Sequence, residues 1–255
     1  MKRPYILLTN DDGIFAPGLY ALYLAIREIA DVSVIAPVSE KSAVGHAITI
    51  SDPLRVFDFE KNGQFFGHAV NGTPADCVKI AYFALLERKP DLVISGINYG
   101  SNTGINVIYS GTVSAATEGT ILGIPSFAMS LTTFKDAVFD YAAKFAANMV
   151  RKIFEHGLPK GVFLNINVPN VPEVEIKGVA ITRMSAEMYN DRYDKRIDPR
   201  NHVYYWLTGT KVEIDAGLET DDGAIRQNYV SVTPIHYDLT RYDFLNELQQ
   251  WQLAK

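Results

Sequence analysis

Apolar and polar positions alternate between two periods along the first 170 residues. Residues 5–9, YILLT, form an unbroken apolar run of buried-strand length. Pro17 then opens a stretch in which Leu19, Leu22, Tyr23, Ile26, Ile29 and Ala30 recur at helical spacing. A second strand, VSVIAP, spans 32–37 and leads into a polar loop at 39–46. In 54–70, Asn62-Gly63 separates two alternating aromatic runs, the signature of a hairpin. Thr73, Pro74 and Asp76 have the spacing of an N-cap, a first-turn proline and a capping-box acid, so a helix follows.

The same cadence continues downstream. DLVIS (91–95) reads as a strand, 96–111 as a long Gly/Asn-rich loop, and 112–123 as a helix closed by Gly123 and Pro125. A strand at 126–131, an amphipathic helix at 137–155 and a strand at 161–169 complete it. Strands alternating with helices predict an α/β fold, a Rossmann-like and mostly parallel sheet covered by helices on both faces.

Beyond residue 170 the pattern loosens. The segment 183–209 is polar, aromatic and irregular, ending in the strand-like VYYWLTG. A strand is expected at 228–235 and a helix at 239–252, capped by Thr240 with Phe244, Leu248 and Trp251 on one face. We therefore expect a catalytic core over 1–182, and over 183–255 an extended hairpin and terminal helix that serve oligomerisation.

Composition narrows the class. The 255-residue chain is 47% hydrophobic and 21% charged, as in ordinary globular proteins. Its net charge of −5, with no basic block, argues against a nucleic-acid polymer as partner. The one cysteine, Cys77, lies in an apolar helical pattern and reads as a buried small hydrophobe. No segment reaches membrane-spanning length, and the N-terminal apolar run is too short for a signal peptide. A reducing cytoplasm is the expected setting.

Ligands of open parallel sheets sit beyond the C-terminal strand ends. The first strand is followed by Asn10, Asp11 and Asp12; the second by Ser39, Glu40, Lys41 and Ser42. After DLVIS come Asn98 and Asn102, then Ser110, Gly111 and Thr112. Adjacent carboxylates repel, and a divalent cation resolves the repulsion. Carboxylates with Ser and Asn oxygens suit a hard ion such as Mg²⁺, Mn²⁺ or Ca²⁺. The bland alternative makes Asp11 a helix cap and Asp12 a solvated charge. Ser110–Gly111–Thr112 at a helix start suits an anion, or is a plain Ser-capped helix. A cation loop and an anion loop at one sheet edge are together explained by a phosphate ester.

Several chemistries are excluded. The chain has no P-loop, no G-x-G-x-x-G after its first strand and no G-x-S-x-G elbow. Its aspartates are adjacent, not spaced as Asp-x-Asp-Gly. The five histidines lack metal-ligand spacing; His46 reads as a surface or strand-end group. Asn71, Gly72 and Thr73 read as capping.

The segments LLTNDDGIFAPGL, APVSEKSAVGHAIT, NGTPADCV, DLVISGINYGSNTG, VIYSGTVSAATEG and YVSVTPIHYDLT occur in order across 5–240. As an ordered set they resemble the stationary-phase survival protein SurE family. The resemblance implies a phosphomonoesterase acting on nucleoside 5′- and 3′-monophosphates, and in some members on short polyphosphate. It implies one Mg²⁺ or Mn²⁺ per subunit, held by Asp11, Asp12, Ser42 and Asn98. It makes Ser110, Gly111 and Thr112 the phosphate loop, with Asn102 facing substrate. Direct attack by cation-activated water is the expected reaction, Asp12 orienting the water. The family fold implies a homodimer or homotetramer with a swapped C-terminal part. Val44 and His46 in SAVGHAIT depart from the family loop. Base contacts are expected from Tyr99, Tyr109 or a neighbouring subunit's 183–206 segment. The competing expectation is a nucleotide-sensing module without turnover.

Overall fold

The computed structural model describes residues 3–186, 188–212, 215–251 and 253. Its centre is a nine-stranded sheet in the order β3-β4-β2-β1-β5-β6-β7-β11-β8. These strands are β1 (Tyr5–Thr9), β2 (Asp31–Pro37), β3 (Val56–Lys61), β4 (Gln64–Val70), β5 (Leu92–Tyr99), β6 (Ser126–Leu131), β7 (Val162–Val168), β8 (Gly178–Ile181) and β11 (Tyr229–His236). The run β4-β2-β1-β5-β6-β7 is parallel, whereas β3 and β11 pair antiparallel with their neighbours β4 and β7.

The two-residue period of the strands divides the core between two faces. Ile6 and Leu8 of β1 pack with α1 (Pro17–Ile26) and α5 (Asp140–His156) on one face. Leu7 packs on the other with α2 (Pro74–Ile80) and α4 (Gly111–Ile121). Cys77 is among these buried residues. β1 feeds β2 on one side, and β5 returns on the other side of β1. The strand order thus reverses at β1, where a crevice opens in such sheets.

The predicted strands at 5–9 and 126–131 are found at those bounds. Asn62 and Gly63, at φ +56° and +72°, turn the hairpin between β3 and β4. Thr73 accepts from the Asp76 amide and Asp76 accepts from the Thr73 amide, closing the capping box of α2.

Several expectations need correction. The strand expected at 91–95 continues to Tyr99 through a register shift between Ser95 and Asn98. Asn98 is thereby on a strand, not in a loop, and the loop expected over 96–111 also holds one short helix, α3 (Asn106–Tyr109). α1 stops at Ile26, so Ile29 and Ala30 lie beyond it. α5 begins at Asp140, not residue 137. The extended hairpin expected beyond residue 183 is present as an antiparallel ribbon of β9 (Met188–Ile197) and β10 (Val203–Val212), regular where 183–209 reads as irregular. Its pattern was illegible because both faces are exposed, as at Tyr193 and Trp206.

The helix expected over 239–252 reduces to a 3₁₀ turn at Tyr242–Phe244 and α7 (Leu245–Gln249); residue 252 lies outside the described residues. Thr240 does not cap it; its amide donates to Asp238, and Phe244 stands at the N-cap. So short a helix without a buried face gains little from packing. β8 and α6 (Asp221–Arg226) have no counterpart in the sequence reading. The division expected at residue 182 is crossed by the sheet, because β11 lies between β7 and β8.

Candidate active site

The C-terminal ends of β1, β2 and β5 bring the candidate residues together. After β1, the Asn10 side-chain amide donates to the Gly13 carbonyl at 2.9 Å, and Gly13 takes φ +94°. This turn lets consecutive aspartates serve one region. Asp11 is buried and directed at α4, where the Thr112 hydroxyl donates to its Oδ1. A Cβ on Gly111 would lie 2.8 Å from the Asp11 Cβ, so only glycine permits this approach. The Asp12 Oδ2 accepts from the Tyr99 amide at 3.1 Å, which ties β5 to the pair.

The loop after β2 is pinned twice. The Lys41 amide donates to the Asp11 carbonyl at 2.7 Å, and the Gly45 amide to the Tyr109 carbonyl at 2.9 Å. Between these anchors the Ser42 hydroxyl donates to Glu40 at 2.5 Å, leaving its oxygen lone pairs free to accept or coordinate. The Asn98 side-chain amide donates to the Gly100 carbonyl at 2.8 Å, so its Oδ1 remains the free end of that side chain.

Asp11, Ser42, Asn98, Asn102 and Ser110 line one cleft of about 190 Å³. Asp12, Gly111 and Thr112 are not among its lining residues. A larger cavity, about 490 Å³, lies at the opposite strand ends beside Tyr5, Ser33, His68 and Arg88, and contains none of the candidates. Size does not select the site; the buried carboxylates do.

Burial and like charge dominate the electrostatics of the pair. Burial, then the charge of Asp11, push the Asp12 carboxyl up to about 7. Burial also raises Asp11, against the bonds from Thr112. The remaining charge acting on both is Glu40, another acid. A buried and a half-buried carboxylate, with no cationic side chain acting on either among the described residues, lie beside neutral Ser and Asn oxygens and form an all-oxygen donor set that fits a hard divalent ion. Among the described residues no three His, Cys, Asp or Glu cluster as metal ligands, so the set depends on its neutral members.

The anion loop is partly reassigned. Ser110 caps α4, its Oγ accepting from the Val113 amide at 3.1 Å. Thr112 is engaged with Asp11 and orients the acid. The Ser110 hydroxyl hydrogen and the Gly111 amide remain for an anion. Asn102 is held over an asparagine network: its side-chain amide donates to Ser130 and its carbonyl accepts from Asn165 and Asn167. His46 stays outside the cleft and meets Glu118 of α4 at 3.0 Å, in keeping with a surface role. Lys79 meets the same carboxylate at 2.6 Å. The sequence reading missed Thr112 as the orienter of Asp11, and it missed Phe134, which also lines the cleft. The signal for Phe134 was a lone aromatic residue in the loop after β6.

Residues 6–191 match the family model described as Survival protein SurE. A protein of Syntrophobacter fumaroxidans named 5′-nucleotidase SurE is 54% identical over 97% of this chain and 99% of its own length. One of the same name from Chlorobium luteolum is 46% identical over 100% of this chain and 98% of its own. A crystal structure of the SurE protein from Aquifex aeolicus superimposes with a TM-score of 0.86 at 42% identity, covering 98% of this chain and 100% of that one. The ordered motifs, the sheet reversing at β1 and the paired carboxylates at its edge therefore have one explanation: this chain belongs to the SurE family.

Proposed function

We propose that the protein is a divalent-metal-dependent nucleotidase that hydrolyses nucleoside 5′-monophosphates to nucleoside and phosphate. The observation that carries this reading is the Asp11-Asp12 pair, buried and half-buried and uncompensated by a cationic side chain among the described residues, at the edge where Ser42, Asn98 and the start of α4 converge. The names of the relatives supply the substrate class. The 3′-monophosphates and short polyphosphate belong to the same proposal, since they present the same terminal phosphoryl group.

Asp11, Asp12, Ser42 and Asn98 would hold one Mg²⁺ or Mn²⁺. Such an ion, when bound, polarises a phosphoryl oxygen and acidifies water. The chain's own residues do the rest. Thr112 fixes Asp11, and the Tyr99 amide fixes Asp12. Ser110 and the Gly111 amide receive phosphoryl oxygens at the positive end of the α4 dipole. Asn102 orients the substrate from the cleft wall. Asp12 orients the attacking water. Among the described residues no histidine or thiol lines the cleft, in keeping with direct attack by water.

A cytoplasmic setting is part of the proposal and agrees with a buried free thiol at Cys77. Among the described residues no helix is long and apolar enough to cross a membrane. A homodimer or homotetramer is also proposed, supported by the β9–β10 ribbon, which exposes Tyr193, Tyr205, Trp206 and Leu207. The test is phosphate release from AMP with Mn²⁺ and with excess chelator. Release with the ion alone is expected. Undiminished release in chelator removes the metal, and binding without release leaves a nucleotide-sensing module.

A further inference from the structure

The cleft is lined by two kinds of residue. Its polar members are buried: Asp11, Asn98, Asn102 and Ser110 are each less than one-tenth exposed. The same lining carries two aromatic rings open to solvent, Tyr109 at 57% and Phe134 at 82% exposed. Among the described residues neither ring packs against another aromatic ring.

Both rings are held at the cleft by the elements that build the site. Tyr109 immediately precedes the cap of α4, and its carbonyl accepts the Gly45 amide of the Ser42 loop. Phe134 lies against Gly100, where an added Cβ would come within 2.5 Å of the ring. Gly100, at φ +93°, is the residue whose carbonyl orients Asn98. Each ring is thus one short step from a proposed metal or phosphate ligand. A cleft of about 190 Å³ takes a phosphoryl group and part of a sugar, and leaves the remainder of a nucleotide outside, at the rings.

We propose that Phe134 and Tyr109 flank the nucleobase of the substrate and set the preference for nucleotides over simple phosphate esters. This rests on the nucleotidase reading above. A base presents a flat π-face to each ring, and such stacking tolerates different bases. The rings therefore select for a base without selecting strongly among bases.

The test compares AMP with ribose 5-phosphate, the same ester without its base. In Phe134→Ala the ratio of kcat/KM for AMP to that for ribose 5-phosphate should fall about ten-fold, the size of one lost stacking contact. Tyr109→Ala should lower the same ratio, and Phe134→Trp should preserve it. An unchanged ratio in both alanine variants overturns the proposal. So does an equal loss on both substrates accompanied by a change of mass in solution, which assigns the rings to a subunit contact. Adenosine binding, measured by calorimetry on the intact protein, separates this inference from the reading beneath it. Binding that is lost in Phe134→Ala upholds the rings even if no ester is hydrolysed. Hydrolysis of ribose 5-phosphate without adenosine binding upholds the phosphatase and overturns the rings.

Discussion

The tripeptide Asp-Asp-Gly occurs twice, at 11–13 and at 221–223. Both aspartate pairs are largely buried, yet their surroundings differ. Every carboxylate oxygen of the second pair has a donor. Asp221 accepts from the amides of Gly104, Ser185 and Asp222, and Asp222 from the hydroxyls of Thr103 and Ser185. The first pair is supplied unevenly: Asp11 receives the Thr112 hydroxyl and the backbone amides of Thr112 and Asp11 itself, whereas Asp12 receives the Tyr99 amide alone. Burial raises the pKa of Asp221 as it does those of Asp11 and Asp12. Titration therefore does not distinguish the two pairs; hydrogen-bond satisfaction does. The complete pair is a clamp that fastens the loop at 103–104, between Asn102 and Ser110, to the C-terminal part of the chain. The incomplete pair has its lone pairs open for a ligand.

Breaking each pair should give opposite signatures. Asp11→Asn or Asp12→Asn should reduce phosphate release from AMP at least about a hundred-fold, since a bound cation's contribution is worth several kcal/mol. In metal-free buffer neither variant should lose stability in urea denaturation, because each removes a buried like charge. Asp222→Asn or Asp221→Asn should do the reverse, costing about 1–3 kcal/mol of unfolding free energy by opposing an amide to buried donors. Its effect on turnover should be the smaller one. If the two pairs exchanged these signatures, the distinction would fail.

The pH dependence of each acid takes its sign from whether burial or hydrogen bonding prevails there. Asp12 binds its proton more tightly folded than unfolded. In metal-free protein it therefore takes away stability as pH rises from about 4, the unfolded value, to about 7. Asp76 is the counter-case. Burial raises it, but bonds from Thr49 and Thr73 outweigh burial and hold it below its ordinary value. Its contribution is present above about 4 and is lost as the pH falls through the lowered folded value. Thermal unfolding of metal-free Asp12→Asn should show a shallower decline between pH 4 and 7, Asp11 and Asp221 still contributing, and keep the acid limb. The smallest effect belongs to Thr73→Ala, which opens the capping box at a cost of about 1 kcal/mol, read by urea denaturation with activity intact.

Much of this was legible in the residues. β1, β2 and β6 announced themselves as apolar runs of strand length, and Thr73-Pro74 with Asp76 announced the start of α2. The gathering of Asp11, Ser42, Asn98 and Ser110 at one edge followed from which loops end parallel strands. Other features carried no periodic signal. Asn98 is on a strand that survives a register shift, which no two-residue pattern reports. The β9–β10 ribbon has no buried face to write an alternation. The second Asp-Asp-Gly differs from the first only in partners that arrive from residues 103, 104 and 185, so local sequence did not single it out.

The central claim is that the incomplete pair is half of a divalent-cation site. Equilibrium binding of Mn²⁺ at neutral pH, followed by the loss of its free-ion electron paramagnetic resonance signal, tests it directly. One tightly bound ion per chain in the wild type, absent in Asp12→Asn, is the predicted result. Equal Mn²⁺ binding by the two proteins, or none by the wild type, would contradict it.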